Sequence, residues 1–445
     1  MTNKNIYKKI LWLAIPITLE NLIYSFINFV DIFMVGREDK VIGLGADAVS
    51  ALGVSNQFFF LFLTSLFGLL SGASILSSQY YGAKDFKNLR KITVLFVLFS
   101  LIYVIPFFVL GKFFPNLVLG FYTNNKPVME LGYRYLGITI WTFPLTALGM
   151  AFGILLRSVN LPKYSLYTSI LGLCINIVLN TTLIPVYGVS GAATATLISR
   201  LVTVTILPMI LIIKKVPVIP KLKDILDIDF GFIKKVLSLS FFTFLHEILW
   251  SMAVSVKTSF FGRMGTTAFS SIQIAASINS LLFTVFIGLT AATAVIVGNE
   301  LGNDNPESAY EYSKKIVKIY TVVLFLIIIV LNIITPFVLR FMGVSPEVFK
   351  LTRSIIYMVS ITSSLVAYTM LFLVGIFRAG GDVKFSIYIE IIPLWFVSLP
   401  LMYVFTEIYT VPVIILFLIS YTDEFIKLIP CLTRYFSKKW INKMI

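Results

Sequence analysis

The chain has 445 residues and a net charge of +15, and 58% of its residues are hydrophobic whereas only 13% are charged. A soluble globular protein is typically about half apolar and about a quarter charged, so this composition excludes a soluble domain and predicts a membrane protein. Because a membrane-spanning helix needs about 20 apolar residues, the chain can supply roughly a dozen spans with short loops.

Hydropathy along the chain predicts twelve membrane-spanning helices. They lie near residues 10–36, 51–80, 92–113, 134–156, 164–185 and 190–213, and then near 236–262, 270–298, 315–338, 354–377, 385–405 and 409–431. The start, KKILWLAIPITL, resembles a signal peptide, but it lacks a small-residue cleavage site and its apolar run continues, which indicates an uncleaved first span. Cys174 and Cys431 fall in apolar segments, where we expect a buried thiol in each case.

The lysines and arginines are concentrated in alternate loops and at both ends of the sequence. By their positions Arg157 and Arg378 are loop bases on the same side as the basic linker that follows the sixth span. Because basic loops stay in the cytoplasm, we predict a multi-pass protein of the cell membrane with both termini cytoplasmic. The positive charge is therefore a topology signal, and nucleic-acid binding has no support.

The second half of the sequence repeats the first. KKILWLAIPITLENLIYSFINFVDIFMVGR (8–37) aligns without a gap with KKVLSLSFFTFLHEILWSMAVSVKTSFFGR (234–263), and RSVNLPKYSLY aligns with RAGGDVKFSIY. Parallel repeats of this kind are a recurring transporter design, with the binding site between the halves. We predict an N-terminal six-helix lobe at 1–213, a cytoplasmic linker at 214–235, and a C-terminal six-helix lobe with a basic cytoplasmic tail at 236–445.

Four stretches of the sequence carry a resemblance to a known family: LAIPITLENLIYSFINFVDIFMVGR, GADAVSALGVS, INIVLN followed by GVSGAATATLISR, and RAGGDVKFS. Together they resemble MATE transporters, the multidrug and toxic compound extrusion family. The resemblance implies an all-α polytopic membrane protein with twelve transmembrane helices in two six-helix lobes. It also implies a monomeric antiporter in membrane lipid, which exports cationic, amphipathic small molecules in exchange for protons or sodium ions and needs no cofactor.

Two acids lie inside the first span. Asp31 precedes the predicted outer end of the helix by five residues, and Glu20 is eleven residues earlier, or about 16 Å deeper at about 1.5 Å per residue. Eleven steps of about 100° return to nearly the same helix face, so both acids should point into the lobe. An acid in a membrane span indicates function by default. The alternatives are an interfacial Asp31 and a Glu20 solvated in a cytoplasm-facing cleft.

The resemblance makes Asp31 the cation-coupling acid of the first lobe. Its expected neighbours are Asn176 and Asn180, which share a face at i, i+4 spacing on the fifth span, and Thr196 on the sixth. One branch of the family has an aspartate at the position of Asn180. A sodium site with two carboxylates is therefore not expected here, and we expect the site to bind a proton or, more weakly, a sodium ion. The asparagines can alternatively serve only as interhelical hydrogen-bond partners.

In the repeat, Glu20 aligns with His246 and Asn21 aligns with Glu247. Glu247 matches the seventh-helix glutamate that another branch of the family uses for cation coupling and substrate binding, although the tenth-helix aspartate of that branch is missing here. We therefore predict Glu247 and His246 as a second cation or substrate site. His246, the only histidine, can relay protons or be a structural hydrogen-bonded residue, and a metal site is not predicted.

Further candidates for a cavity are Lys257 and Glu390. Lys257 aligns with Asp31, and either it pairs with an acid or it extends outward to the membrane surface, which is the favoured interpretation. Glu390 can line the cavity or be solvated at the cytoplasmic side. The acidic pair Asp423–Glu424 is expected to neutralise Lys427.

Other functions remain as alternatives. A flippase for lipid-linked saccharides or a narrow-specificity metabolite exporter of the same superfamily is the nearest, but a flippase should line its cavity with several bases, and only Arg200, Lys257 and Lys427 lie at depth. A membrane enzyme would need a nucleophile, a metal cluster or acidic motifs at a membrane face. A channel would need a ring of pore-lining residues. The sequence suggests neither, so we predict a transporter that is not an enzyme.

Overall fold

The computed structural model describes residues 3–35, 46–123, 125–341, 344–409 and 411–445. Within these ranges the chain forms helices joined by short connections, and it forms no strand. Nine of the described helices are long and apolar enough to cross a membrane, and a bent helix pair brings the number to ten. The predicted all-α polytopic membrane protein is therefore confirmed.

The first half of the chain contains eight helices. They are α1 (Asn3–Val35), α2 (Ala46–Gly82), α3 (Phe86–Phe113), α4 (Pro115–Gly120), α5 (Lys126–Thr139), α6 (Thr142–Ser158), α7 (Pro162–Tyr187) and α8 (Val189–Ile213). α5 and α6 are bent by 50° relative to each other and together replace the single fourth span expected at 134–156. The expected end of the first span at Gly36 lies outside the described residues.

The second half contains the counterparts of these helices. After the short α9 (Leu222–Leu226) come α10 (Phe230–Gly262), α11 (Thr266–Gly302), α12 (Pro306–Phe341), α13 (Pro346–Met370), α14 (Val383–Pro393), α15 (Leu399–Tyr403), α16 (Val413–Ile419) and α17 (Thr422–Phe436). π-Helical turns extend α13 to Phe377 and join α14 to α15 in one span, Val383–Ile408.

The prediction of one continuous helix for the last span, 409–431, is wrong. The span is broken between α16 and α17, and the break places Asp423 and Glu424 in the first turn of α17. Acids are favoured at that position because the helix dipole is positive at its amino end. The break therefore brings two acids to the start of a helix within the membrane-embedded part of the sequence.

The internal repeat is visible in the helix lengths. α1 and α10 each have 33 residues, and α2 and α11 each have 37. α7 and the span Val383–Ile408 each have 26. When α1 and the broken α16–α17 segment are added to the ten spans above, the described helices form two sets of six, as predicted.

Glycine determines how α7 meets α8. Gly188, which ends α7 and begins α8, has a φ of +57°, a left-handed conformation that side chains with a Cβ rarely adopt. A Cβ on Gly191 would lie 2.3 Å from the Leu183 carbonyl oxygen, so α8 can approach α7 only with glycine at this position. The GVSG motif therefore closes the α7–α8 hairpin, which carries three residues of the site described below.

By their contacts the helices separate into two compact units. The first-half unit comprises Leu19–Tyr81 and Asp85–Phe244, and the second-half unit comprises Met1–Thr18, Gly82–Lys84 and Leu245–Ile445. The beginning of α1 therefore packs into the apolar core of the second-half unit. The lobe boundaries predicted from the repeat stay a prediction about which segments move together.

The linker is held against α3 within the first-half unit. Arg90 donates from Nε to Asp224 Oδ2 at 2.6 Å and from Nη2 to Oδ1 at 3.1 Å, and Lys87 Nζ lies 2.8 Å from Asp227 Oδ2. The hydrogen bond from Arg90, with help from the Lys221 backbone, lowers the pKa of Asp224 to about 2. The linker is therefore docked by charge-assisted bonds.

The segment that follows α17 completes the core of the second-half unit. Trp440 is fully buried, its ring stacks on Tyr435 at 6.3 Å, and its Nε1 donates to the Tyr435 carbonyl oxygen. A Cβ on Gly380 would lie 1.9 Å from the Trp440 carbonyl oxygen, so the RAGG motif allows this close contact. What was expected to be only a basic tail thus covers the turn between α13 and α14.

Candidate functional site

Asp31 lies at the centre of a buried polar cluster in the first-half unit. Its carboxylate is 2% exposed and accepts hydrogen bonds from Asn180 Nδ2 at 2.6 Å and from Thr196 Oγ1 at 2.9 Å. Asn176 Nδ2 donates to Thr196 Oγ1 at 3.2 Å, and its Oδ1 accepts from Asn180 at 3.1 Å. α1, α7 and α8 thus bring together the four residues predicted from the sequence, which we call the aspartate cluster.

The aspartate cluster has the donor set of a site for a small cation. It offers a carboxylate, two amide oxygens and a hydroxyl, and oxygen ligands of this kind suit hard cations. Within the described residues the Asn180 Oδ1 atom is buried without a hydrogen-bond partner. A buried acceptor without a partner costs free energy, so this oxygen is available for a proton donor or a cation. With one carboxylate, the cluster matches one positive charge.

A cavity adjoins the aspartate cluster within the first-half unit. Its wall includes Ile27, Gly172 and Arg200, each of which is four residues, or one helical turn, from a member of the cluster. The guanidinium of Arg200 lies 4.9 Å from the centre of the Tyr24 ring. Thr146 also lines the cavity, and its buried hydroxyl lacks a hydrogen-bond partner among the described residues. Arg200 and Thr146 therefore give the cavity wall a polar part.

Glu20 forms a second buried site in the same unit. It is 1% exposed, its Oε2 lies 2.9 Å from Arg157 Nη2, and its Oε1 accepts a hydrogen bond from Ser165 at 2.6 Å. The interpretation of Glu20 as a solvated cleft residue is wrong, because an arginine shields the carboxylate. Arg157 is likewise not only a loop base. It is a largely buried counter-charge.

Glu247 and His246 lie together in the second-half unit and share a partner. Arg378 donates from Nη1 to Glu247 Oε1 at 3.0 Å, and its Nη2 lies 2.6 Å from His246 Nδ1. His246 Nδ1 is also 3.4 Å from Glu247 Oε1. Arg378, which the sequence placed in a loop, is only 3% exposed. Each half of the chain therefore has one buried arginine–glutamate pair. The arginines of the two pairs, Arg157 and Arg378, are aligned in the repeat.

Glu390 belongs to a cluster around a fully buried lysine. The Nζ atom of Lys427 lies 2.8 Å from Glu390 Oε1, 2.7 Å from Asp423 Oδ2 and 2.8 Å from Glu424 Oε1. We call these four residues the lysine cluster. The expected pairing of Lys427 with its two helix neighbours is confirmed, and cytoplasmic solvation of Glu390, 8% exposed, is wrong.

Lys257 does not extend outward. Its Nζ lies 2.9 Å from Asp423 Oδ1 and donates to the Ser420 carbonyl oxygen, and the side chain is only 16% exposed. The favoured interpretation, a lysine that extends to the membrane surface, is therefore wrong. In the structure Lys257 pairs with Asp423 instead. The acid comes from the break between α16 and α17, which the hydropathy pattern did not reveal.

Two further expectations can be compared with the structure. Cys431 is buried, but Cys174 is exposed on α7, so a buried thiol at both positions is wrong. Within the described residues no group of three histidine, cysteine, aspartate or glutamate side chains is arranged to hold a metal ion. The buried bases Arg157 and Arg378 were missed as site residues. Their alignment in the repeat, with acids one position apart in the aligned first and seventh spans, is the signal that could have found them.

Comparisons with known proteins agree with this architecture. The model of the MatE family matches residues 16–182 and 240–404. The chain is 24% identical to "Probable multidrug resistance protein YoeA" of Bacillus subtilis (strain 168), over 99% of this chain and 96% of that protein. These matches cover both halves of the repeat.

Solved structures share the fold. One is described as the outward-facing conformation of a multidrug resistance MATE family transporter of the MOP superfamily, with a TM-score of 0.85 and 20% identity over 98% of this chain and 97% of that one. Another is a MOP superfamily transporter from Pyrococcus furiosus whose binding pocket is described as having reverse polarity, which suggests a different function for it. Its TM-score is 0.84, at 20% identity and with the same coverage. At these identities the structures speak for the fold alone.

Proposed function

Because the chain belongs to the MatE family of membrane transporters, we propose that it is a secondary active antiporter that exports organic cationic or amphipathic compounds in exchange for protons or sodium ions. The mechanism we propose is alternating access. A full-length relative named as a multidrug resistance protein supports the substrate class. The aspartate cluster supports the exchange.

The observation that carries the proposal is the buried carboxylate of Asp31 beside a cavity. Burying an ionised carboxylate away from water costs free energy unless a positive charge compensates it. The hydrogen-bond partners of Asp31 are neutral amide and hydroxyl groups. Asp31 therefore gains from binding a cation. The adjoining cavity lies within about one helical turn of this charge, and with a volume of about 20 Å³ it would have to widen to admit a substrate.

The exchange follows from electrostatics. A cationic substrate about 6 Å from the ionised Asp31 gains about 2–3 kcal/mol at an effective dielectric constant of about 20. Loading Asp31 with a proton or sodium ion cancels this gain, so the substrate should bind roughly 30- to 100-fold more weakly. By linkage, the substrate weakens cation binding by the same factor. Each ligand therefore displaces the other, as exchange requires.

For the second half we propose that Glu247 and His246 provide a further contact for a cation or a cationic substrate. Both contacts of the Glu247 carboxylate fall on its Oε1 atom. An incoming cation would compete with Arg378 for this carboxylate. Glu20 is proposed to act in the first half in the same way, with Arg157 as the competing base.

The arrangement in the membrane is also part of the proposal. The distribution of lysines and arginines supports a position in the cell membrane with both termini in the cytoplasm, and we propose that the chain acts there as a monomer. The helix lengths repeat between the two halves, which supports lobes at 1–213 and 236–445 that are joined by the linker at 214–235. These lobes are the bodies we expect to move during alternating access.

A second candidate is export or flipping of a substrate with an anionic group, as in the flippases for lipid-linked saccharides. The observation that favours it is Arg200, whose guanidinium lines the cavity beside Tyr24. For such a substrate the linkage has the opposite sign, because protonating Asp31 would strengthen the binding of an anion near Arg200. Measuring the sign of the linkage therefore separates the two functions.

The proposed function can be tested in proteoliposomes that contain a fluorescent organic cation. A proton gradient and a sodium gradient are imposed separately, with the membrane potential clamped. We expect one of them to drive transport in the native chain and neither to do so in Asp31→Asn. Thr182→Val, on an exposed face of α7, serves as the matched control and should leave transport unchanged.

The coupling ion is tested with a second variant. Asn180→Asp adds a carboxylate 2.6 Å from Asp31 and should shift the response towards sodium, because two acids hold a metal cation better than one. Substrate affinity, measured with and without the coupling ion, should fall when the ion binds. Full gradient-driven export by Asp31→Asn would refute the proposal. So would tighter binding of the organic cation in the presence of the ion.

A further inference from the structure

The lysine cluster has the geometry of a filled cation site. Three carboxylate oxygens from two helices meet at one point, and the Nζ atom of Lys427 occupies that point at 2.7–2.8 Å from each. Lys427 has no exposed surface. An ammonium group has three N–H donors and no acceptor, so three carboxylate oxygens satisfy it completely. The position of a bound monovalent cation is thus taken by a side chain.

The surroundings of the lysine cluster keep it charged. Asp423 also holds Lys257 at 2.9 Å, and Glu424 accepts a hydrogen bond from Thr369. His246 Nε2 lies 3.9 Å from Glu390 Oε2. Three acids thus face two lysines, and the neighbouring Glu247–Arg378 pair is neutral as a pair. The lysine cluster and Lys257 together retain one negative charge with a neutral His246, which favours the charged form of Lys427.

We propose that the ammonium of Lys427 permanently occupies a monovalent-cation site formed by Glu390, Asp423 and Glu424. A free sodium ion or an organic ammonium cannot enter this site while Lys427 is in place. The second-half unit therefore carries its cation within its own chain. The lysine cluster is therefore not an exchangeable cation site, unlike the aspartate cluster and the proposed contact at Glu247 and His246. The proposal does not depend on whether Asp31 couples to transport.

The site can be emptied by truncating its resident cation. Lys427→Ala removes an n-propylammonium group and leaves three buried carboxylates, so the thermal midpoint of the purified protein should fall by several degrees. Added n-propylammonium chloride should restore at least half of this loss along a saturable curve. Sodium chloride should also restore part of it. Choline chloride, which has the charge but no N–H donors, should restore none. Each response is measured as the difference from the native chain in the same salt, so that binding at other sites cancels.

Two more proteins complete the test. Lys427→Ala combined with Glu424→Gln keeps the net charge of the native cluster, so it provides a folded protein if the single variant does not fold, and it should still respond to n-propylammonium. Lys314→Ala removes an exposed lysine of an i, i+3 pair and should show no response to amines. If n-propylammonium had no more effect than choline on the folded variants, the proposal would be wrong.

An independent measurement addresses the native cluster. Binding of radioactive sodium is counted on the full-length Asp31→Asn protein, once with Lys427 intact and once with Lys427→Ala. We expect the Lys427→Ala protein to bind one saturable sodium ion more than the protein in which Lys427 is intact. Equal sodium binding by the two proteins would overturn the proposal. It would not affect the transport test of Asp31, so the two ideas fail separately.

Discussion

Removing the guanidinium of Arg378 should be far more damaging than its place next to a turn suggests. Arg378 is 3% exposed, and its two terminal nitrogens contact Glu247 at 3.0 Å and His246 at 2.6 Å. Arg378→Met leaves the Glu247 carboxylate buried without its base. Breaking a buried ion pair by removing one partner costs about 3–5 kcal/mol, so we expect a loss of that size in the free energy of unfolding.

The double variant makes this prediction quantitative. Glu247→Gln alone should cost a similar amount, because it leaves the guanidinium without its carboxylate. Replacing a buried pair with neutral residues of similar size is often close to neutral, so Arg378→Met with Glu247→Gln should recover most of the loss. The interaction free energy of the cycle should therefore be at least about 3 kcal/mol.

The assay is reversible unfolding by sodium dodecyl sulfate in mixed micelles, followed by circular dichroism. The control is the exposed pair of Arg134 and Glu130, whose side chains are 53% and 69% accessible. That pair should show an interaction of at most about 0.5 kcal/mol. If Arg378→Met cost no more than Arg134→Met, or if the double variant lost the full sum of the single losses, the reasoning would fail.

Two other variants test the linker and the covered turn. Asp224→Asn removes the carboxylate to which Arg90 donates, so trypsin should cut the linker of this variant faster than that of the native chain. In the native chain the hydrogen exchange of the linker amides should be slow at neutral pH. Because the folded pKa of Asp224, about 2, lies below the ordinary 3.8, docking is stabilised above pH 4 and should be lost as the pH falls from about 4 towards about 2. Unchanged protection of the linker amides over that range, relative to an unstructured peptide at the same pH, would contradict this. Gly380→Ala places a methyl group 1.9 Å from the Trp440 carbonyl oxygen and should cost about 1–3 kcal/mol in the same unfolding assay. Gly137→Ala meets no atom within 4 Å and should instead stabilise by about 0.5–1 kcal/mol, so equal effects of the two alanines would count against the packing argument.

The aspartate cluster could be predicted because helix geometry is local and because the family resemblance implied that Asp31 meets the fifth and sixth spans. Asn176 and Asn180 share a face at i, i+4, and the intramembrane position of Asp31 requires polar partners. The repeat supplied the lengths of the helices in the second half. Nothing in this reasoning needed the exact packing of one helix against another.

The charged clusters could not be predicted in the same way. Arg157 and Arg378 follow apolar runs, and a base at such a place is read as a loop residue. The direction of the Lys257 side chain depends on Asp423, which reaches it only because the last span is broken. A break of two residues in an apolar segment barely changes average hydropathy, so the hydropathy profile does not reveal it. Contacts between segments distant in sequence decide where these charges lie.

The burial of Trp440 has a consequence for the order of assembly. The segment 437–445 follows the described helices of the second half in the chain, so it is synthesised after the helices that it covers. The aromatic core around Tyr435 and the turn at Gly380 therefore stay uncovered until this segment folds back onto them.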